Sequence, residues 1–460
     1  DHGGHDYKKL RELTEVVEVK PFNSTDKYMM TKVNDAGKEI VLVKGAPEVI
    51  AKMCGDNSFL EEVEKQQSRG RRALSFASGS NIDSLVYDGT FFIEDPIRPD
   101  VPAAIKKCYE AGVDVVMMTG DNIKTAAEIA RQAGFSRRLQ GQPEKDVWAV
   151  EAKDFNKVAW GDPMCGYPNV IARCKPEDKL NILKKFKELG KGTATEHVCA
   201  MTGDGVNDSP SLNHADVGIA MGSGTSVAKE ASDIVLLDDA FPSIVTGIKW
   251  GRSLYKNIQS FLVFQLIINV ATCLVVVLSP ILGVDMPFTV TQMLWVNIVM
   301  DTLAALCLAS EPADENVLTE KPRKQNAFIL TKPMYKTIIG MGIFVFGVLS
   351  LIVHDIAQGS IKFGLDLTEL FAIFMMINWW NLFNIRVFGK NRSIFYNLKG
   401  SSKFLLGSLV IFIGTILIVQ FGGEVFNTRP LDFKEWCIIV ASTSPIVIIR
   451  EIWHRIFPKK

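Results

Sequence analysis

The strongest constraint on this chain is a succession of about six apolar segments in roughly its last 210 residues. They cover residues 258–278, 288–309, 335–353, 367–385, 405–420 and 436–453, each near the length a helix needs to cross a bilayer. Single polar interruptions would also occur in soluble core helices, but six such segments in a row favour a membrane domain. One interruption stands out. In "WVNIVMDTLAALCLASEP" the residues Asn297 and Asp301 lie four apart inside an apolar run, and a carboxylate there is costly unless something pairs with it.

The connecting loops carry a direction. "KPRKQNAFILTK", "GKNRSIFYNLKGSSK" and the tail "HRIFPKK" are basic, whereas "SPILGVDMP" has no Lys or Arg. The positive-inside bias places the basic loops, the C-terminus and residues 1–247 in the cytoplasm. An even number of spans agrees with both ends lying on one side of a lipid bilayer.

Up to about Gly251 the chain is rich in Lys, Glu and Asp, and the 51 basic and 51 acidic residues of the whole chain balance. No bulk pull toward nucleic acid follows. The eight cysteines are scattered without a CxxC pair, as reduced thiols would be. His2 and His5 in "HGGH" read as a loop rather than a metal site. The opening "DHGGHDYKKL" has neither an initiator Met nor signal-peptide zones and reads as the interior of a longer chain.

The hydrophilic part divides near residue 90. Before it, "VVEVKPFNSTDKYMMTKVNDAGKEIVLVKGAPEVI" alternates like paired strands around an "NDAGK" turn. After it, apolar strands ("VDVVMM", "NVIAR", "HVCAM", "VGIAM", "DIVLL") alternate with helices at 123–133, at 176–189 and from near Asp208. That order predicts an α/β domain with a mostly parallel sheet, whose ligands lie at the carboxyl ends of the strands.

Two of those ends carry the same tripeptide. Thr119-Gly120-Asp121-Asn122 follows one strand, and Thr202-Gly203-Asp204-Gly205-Val206-Asn207-Asp208 follows another. A lone TGD is as readily a turn and helix cap. Asp204 and Asp208 around a glycine turn, however, bring two carboxylates together with little bulk, which suits Mg²⁺ beside a phosphate. Lys179, opening a helix after "ARCKPED", could supply fixed positive charge for phosphoryl oxygens. Earlier, Lys44-Gly45-Ala46 ends a strand, where glycine permits close approach of a ligand and a solvent-facing lysine is the plainer alternative.

In this order, "KGAPE", "DPIRPD", "TGDN", "KPEDK", "TGDGVND" and then membrane helices resemble the P-type ATPases over essentially the whole chain. The resemblance implies a haloacid-dehalogenase-like α/β phosphorylation domain (91–247) and the C-terminal part of an α+β nucleotide-binding domain (1–90). It also implies the fifth to tenth membrane spans of the family (248–460). Asp204 and Asp208 would serve Mg²⁺; Thr119, Gly120, Asp121, Asn207, Lys179 and Arg173 would meet phosphate or nucleotide. Phe22, Lys27, Lys44, Gly45 and Arg72 would lie around ATP. The family's DKTG motif, which carries the phosphorylated aspartate, is not in this sequence, so its reacting atom and first four spans are expected to precede residue 1.

The membrane segments further resemble calcium pumps. There Asn297, Asp301 and, less firmly, Asn269 would offer oxygen ligands to Ca²⁺. Thr272 stands where the sarcoplasmic-reticulum type has a glutamate, so a single Ca²⁺ per ATP with H⁺ counter-transport is implied, as in the plasma-membrane and autoinhibited types. "MDTLAAL" differs from the secretory-pathway pattern that accompanies Mn²⁺; a pump for Mn²⁺ or H⁺ is the alternative. A non-catalytic nucleotide-binding regulator is another, should the chain be natively this short. Calmodulin could act only through regions outside this sequence, and the membrane could be the plasma membrane or an internal store.

Overall fold

The computed structural model describes residues 14–456 except 24–25, 36, 70, 95, 137–145, 158–166, 191–196, 324–326, 360–363 and 391. His2, His5 and Asp95 of "DPIRPD" lie outside the described residues. The chain forms two compact units, one of residues 1–245 with 318–325, the other of 246–317 with 326–460.

In the first unit, β1 (Glu15–Lys20), β2 (Tyr28–Asp35), β3 (Lys38–Gly45), β4 (Arg72–Gly79) and β5 (Leu85–Ile93) form one antiparallel sheet in chain order. The alternation read in the sequence is the cause: Val41 and Val43 of β3 face inward and Leu42 outward, as a half-buried strand requires. Helices α1 (Pro47–Cys54) and α2 (Leu60–Gln67) lie between β3 and β4. Ile50 of α1 closes a core with Val41, Val43, Ala77 and Leu85. The "NDAGK" turn joins β2 to β3 with Gly37 at φ 86°, a left-handed position that glycine takes without penalty.

The rest of this unit is α/β. After α3 (Val101–Glu110) come β6 (Met117–Met118), α4 (Ile123–Gln132), β7 (Ala149–Glu151), β8 (Val170–Ala172), α5 (Pro176–Gly190) and β9 (Ala200–Gly203). Then follow α6 (Ser209–His214), β10 (Val217–Met221), α7 (Ser226–Glu230) and β11 (Ile234–Leu236). The strands make two three-stranded parallel sheets, β6-β8-β7 and β11-β10-β9. Met118 packs into the apolar clusters of both. The strands are short, yet Val170, Ile171 and Ala172 are fully buried, the signature of a parallel sheet covered on both faces.

The second unit is helical: α8 (Phe241–Leu278, in this unit from Thr246), α9 (Val290–Leu294), a π-helical stretch over Trp295–Met300, α10 (Asp301–Ala309) and α11 (Lys332–Ala357). They are followed by α12 (Leu367–Arg386), α13 (Ser402–Phe421), α14 (Phe433–Thr443) and α15 (Pro445–Ile456). Among the described residues, four helical stretches are long and apolar enough to cross a membrane: Phe241–Leu282, Val290–Ala309, Lys332–Ala357 and Lys399–Phe421. The other two expected spans look different. α12 has the length, but Glu369, Asn378, Asn381, Asn384 and Arg386 dilute its apolarity, and nearly every residue of it is buried. The last segment is two helices meeting at Ser444-Pro445, since proline cannot donate within a helix but fits its first turn.

Small residues set the closest helix approaches. A Cβ on Gly407 of α13 would run into the Cys307 sulfur of α10, and one on Gly414 would lie 3.1 Å from the Trp295 ring. In a bilayer, where lipid is as apolar as leucine, such close packing is a main source of helix association.

Candidate functional site

The carboxyl ends of β6, β8 and β9 carry the sequence-predicted residues. The loop after β6 and the loop after β8 are laced together by backbone: Cys174 N donates to Thr119 O and Arg173 N to Asp121 O, both at 3.0 Å. Arg173 takes φ 55°, a sparsely populated conformation for a side-chain-bearing residue and one that concentrates at functional sites. Within the first loop, Thr119 Oγ1 donates to Asp121 and accepts from its amide, both at 3.1 Å. Asn122 caps α4 through Thr125 N at 2.9 Å. Here the cap and the tight turn coexist with the exposed Gly120. Burial pushes the neighbouring Cys174 thiol up to about 11, so it stays protonated at neutral pH.

The loop after β9 is tighter. Asp208 is 6% exposed, and its Oδ1 accepts from Lys179 Nζ at 2.7 Å. Lys179 lies on α5, which follows β8, so this ion pair ties the end of one parallel sheet to the end of the other. Gly203 is required: a Cβ there would sit 2.5 Å from the Cβ of Asp208. Asp204 and Asn207 are exposed beside them, and the Asp204 carbonyl accepts from Thr225 N at 2.9 Å. The result is a sheet edge with one buried carboxylate, one exposed carboxylate and a lysine ammonium. Among the described residues, no group of three or more His, Cys, Asp and Glu could hold a metal ion. Two carboxylates nevertheless fit Mg²⁺, which keeps several waters and is completed by substrate phosphate.

The antiparallel sheet places Gly45 and Arg72 toward one end, because Gly45 pairs with Ser75 in a register that runs on toward Arg72. A Cβ on Gly45 would lie 2.7 Å from Lys27 O and Tyr28 Cβ, so the glycine is needed whether or not a ligand approaches. Lys27, at φ 58°, is held there by Ala46 N donating to its carbonyl at 3.0 Å. Lys44 is exposed on β3, and Phe22 is 63% exposed. One contact was not foreseeable from spacing: Arg72 Nη2 bonds both oxygens of Asp121 at 2.9 and 3.0 Å. That contact joins the antiparallel sheet to the TGD loop.

In the helical unit, Asp301 opens α10 and is 3% exposed, and among the described residues neither carboxylate oxygen has a hydrogen-bond partner. The Thr272 hydroxyl of α8 is likewise buried without one. Asn297 lies in the π-helical stretch rather than in the α-helix its spacing implied, and it is exposed; Asn269 is half-buried. No hydrogen bond among the described residues joins Asn297 or Asn269 to Asp301. Also unforeseen is a buried pair, Arg386 Nε to Glu311 Oε1 at 2.8 Å. Its only sequence signal is one charge at each of two apolar-segment ends.

Known proteins match both units. The family described as haloacid dehalogenase-like hydrolase matches residues 7–216, and the family described as Cation transporting ATPase, C-terminus, matches residues 285–456. Plasma membrane calcium-transporting ATPase 1 of Mus musculus is 35% identical, covering 94% of this chain and 40% of its own length. Plasma membrane calcium-transporting ATPase 3 of Homo sapiens is 34% identical (95% and 40%). Plasma membrane calcium-transporting ATPase mca-1 of Caenorhabditis elegans is also 34% identical (96% and 41%). The chain thus spans about two fifths of the length of the curated relatives it matches. A hydrolase-type parallel α/β unit with acidic strand ends, followed by membrane helices with a buried carboxylate, places this chain in the P-type cation ATPase family.

Proposed function

We propose that this chain serves ATP-driven transport of Ca²⁺ out of the cytosol through an aspartyl-phosphate intermediate. The observation that carries the ion choice is Asp301. Both its oxygens are buried inside a candidate span with no partner among the described residues, and oxygen ligands are what Ca²⁺ prefers. One unpartnered carboxylate supports a single Ca²⁺ per ATP, with protons returning in exchange; Asn297 and Asn269 are its proposed co-ligands. The residues around Asp208 are the proposed phosphate end. Lys179 would present its ammonium to phosphoryl oxygens, Asp204 and Asp208 would hold Mg²⁺, and Thr119, Gly120, Asp121, Asn207 and Arg173 would orient the phosphoryl group. Mg²⁺ would supply charge neutralisation there. Phe22, Lys27, Lys44, Gly45 and Arg72 are the proposed ATP contacts, and six helices, with residues 1–247 and the C-terminus on the cytoplasmic side, the proposed membrane arrangement.

The test is uptake of ⁴⁵Ca²⁺ into vesicles by the full-length protein and its Asp301→Asn variant. Uptake should fall at least about a hundredfold in the variant, the loss of one charged ligand in a low-dielectric site. Normal uptake by the variant would sink the site assignment, and equal activity with Mn²⁺ alone would sink the calcium-specific reading.

A further inference from the structure

Asp301 is the first residue of α10, and Glu311 lies two residues beyond the helix's last residue, Ala309. The two are therefore about 15 Å apart along the axis at 1.5 Å per residue. Glu311 is 6% exposed and meets Arg386, which ends α12 and is 4% exposed. The other two guanidinium nitrogens are engaged as well. Nη1 donates to Ile394 O at 3.1 Å, and Nη2 donates to Tyr396 O at 2.9 Å, to Asn397 O at 3.4 Å and to Ser401 Oγ at 2.7 Å. The ring of Phe404, at the start of α13, lies 5.3 Å from Arg386 Cζ.

A buried ion pair is weak evidence for stability, because desolvation offsets the attraction and an apolar pair of similar volume would hold the helices as well. What it adds is direction. A planar fork with all three nitrogens engaged fixes the one carboxylate it faces, so Glu311 cannot slide along the bundle as a leucine could. At the opposite end of α10 the backbone is different. Trp295–Met300 is π-helical, a wider turn that is costly and recurs at functional sites. α10 is thus pinned at its Glu311 end and preceded by an irregular turn at its Asp301 end.

We propose that Arg386 is a positioning residue for the cation step: through Glu311 it holds α10 at the height that keeps the Asp301 carboxylate inside the helix bundle. The inference rests on the reading of Asp301 as a ligand of the transported cation.

The test uses the full-length protein in vesicles and separates the half-saturating Ca²⁺ concentration from the maximal rate per molecule in the membrane. Arg386→Gln and Glu311→Gln should raise half-saturation about tenfold while leaving the maximal rate within about threefold, the split expected of a misplaced ligand. Arg386→Lys should be no better than Arg386→Gln, because an ammonium has no planar fork to span the carboxylate, the carbonyls and Ser401. Half-saturation at the unmodified value in Arg386→Gln, or full rescue by lysine, overturns the proposal. If Arg386→Gln does not reach the membrane, the isosteric Glu311→Gln decides by the same criterion. An Asp301→Asn protein with normal calcium dependence removes the underlying reading. An impaired Asp301→Asn beside unaffected Arg386→Gln and Glu311→Gln removes the clamp alone.

Discussion

Asp208 and Asp301 are both buried carboxylates, one in each unit, yet they are treated in opposite ways. Asp208, 6% exposed, has a lysine ammonium 2.7 Å away; Asp301, 3% exposed, has no partner for either oxygen among the described residues. A buried carboxylate that stays ionised costs several kcal/mol unless it is paired. Asp208 is thus paired within its own unit, whereas Asp301 has no protein partner among the described residues. At Asp208 the charges are held in place by the protein itself, as the proposed phosphate end requires. If Asp301 is the proposed cation ligand, binding there relieves the cost of an unpaired buried carboxylate and has free energy available to shift a conformational equilibrium.

The contrast breaks or holds on opposite signs. Lys179→Met strands Asp208 and should lower the stability of its unit by about 3 kcal/mol, the scale for removing one partner of a buried pair. Asp301→Leu removes an unpartnered carboxylate from an apolar bundle and should raise the stability of the cation-free protein by about 1–3 kcal/mol while abolishing transport. Thermal unfolding without Ca²⁺ reads both. A destabilised Asp301→Leu protein would mean that the carboxylate is satisfied in the native state, and the comparison would collapse.

A smaller effect tests how tightly the phosphate end is built. Gly203→Ala places a methyl group 2.5 Å from Asp208 Cβ, so the 203–208 loop must open. The expected cost is about 1–3 kcal/mol of overpacking, with a larger relative loss of ATP hydrolysis than of stability because the Lys179–Asp208 geometry shifts. Hydrolysis and melting temperature that are both unchanged would show a loop softer than its contacts imply.

How legible these sites were depends on the range of the interactions that make them. The "TGDGVND" turn was readable because glycines and carboxylates at a strand end are local chemistry, and Gly203 and Asp208 meet within five residues. The α/β alternation was readable from period, although the strands are shorter than their apolar runs: of "VDVVMM" only Met117–Met118 pairs. Arg72–Asp121, 49 residues apart, and Arg386–Glu311, 75 apart, depend on tertiary placement that no spacing encodes. The π-helical turn was missed because WVNIVM has the composition of any apolar helix; its geometry is set by packing, including the Trp295 ring against Gly414. The expected six equal spans assumed that length and apolarity suffice. α12 departs because its buried asparagines and arginine face other helices rather than lipid.

The smallest predicted effect sharpens the rule that a buried group without a charge partner gives up its charge. His197 stacks edge-on against Tyr167, whose hydroxyl lies 2.6 Å from Nε2. Burial lowers the His197 pKa below its ordinary 6.5, with Asp114 opposing weakly. A base whose folded pKa is depressed contributes stability that is complete above the unfolded value and is lost as pH falls through the folded one. Local stability should therefore be flat above about pH 6.5 and decline below it. The readout is hydrogen exchange of the β9 amides, Ala200–Gly203, which follow His197 closely in the chain. His197→Phe keeps the ring and removes the titration, so its exchange should be insensitive to pH after correction for the intrinsic rate. Asp114→Asn removes the opposing charge and should steepen the acid loss. A decline that survives in His197→Phe would show that the acid sensitivity does not come from His197 and would remove this arm of the comparison.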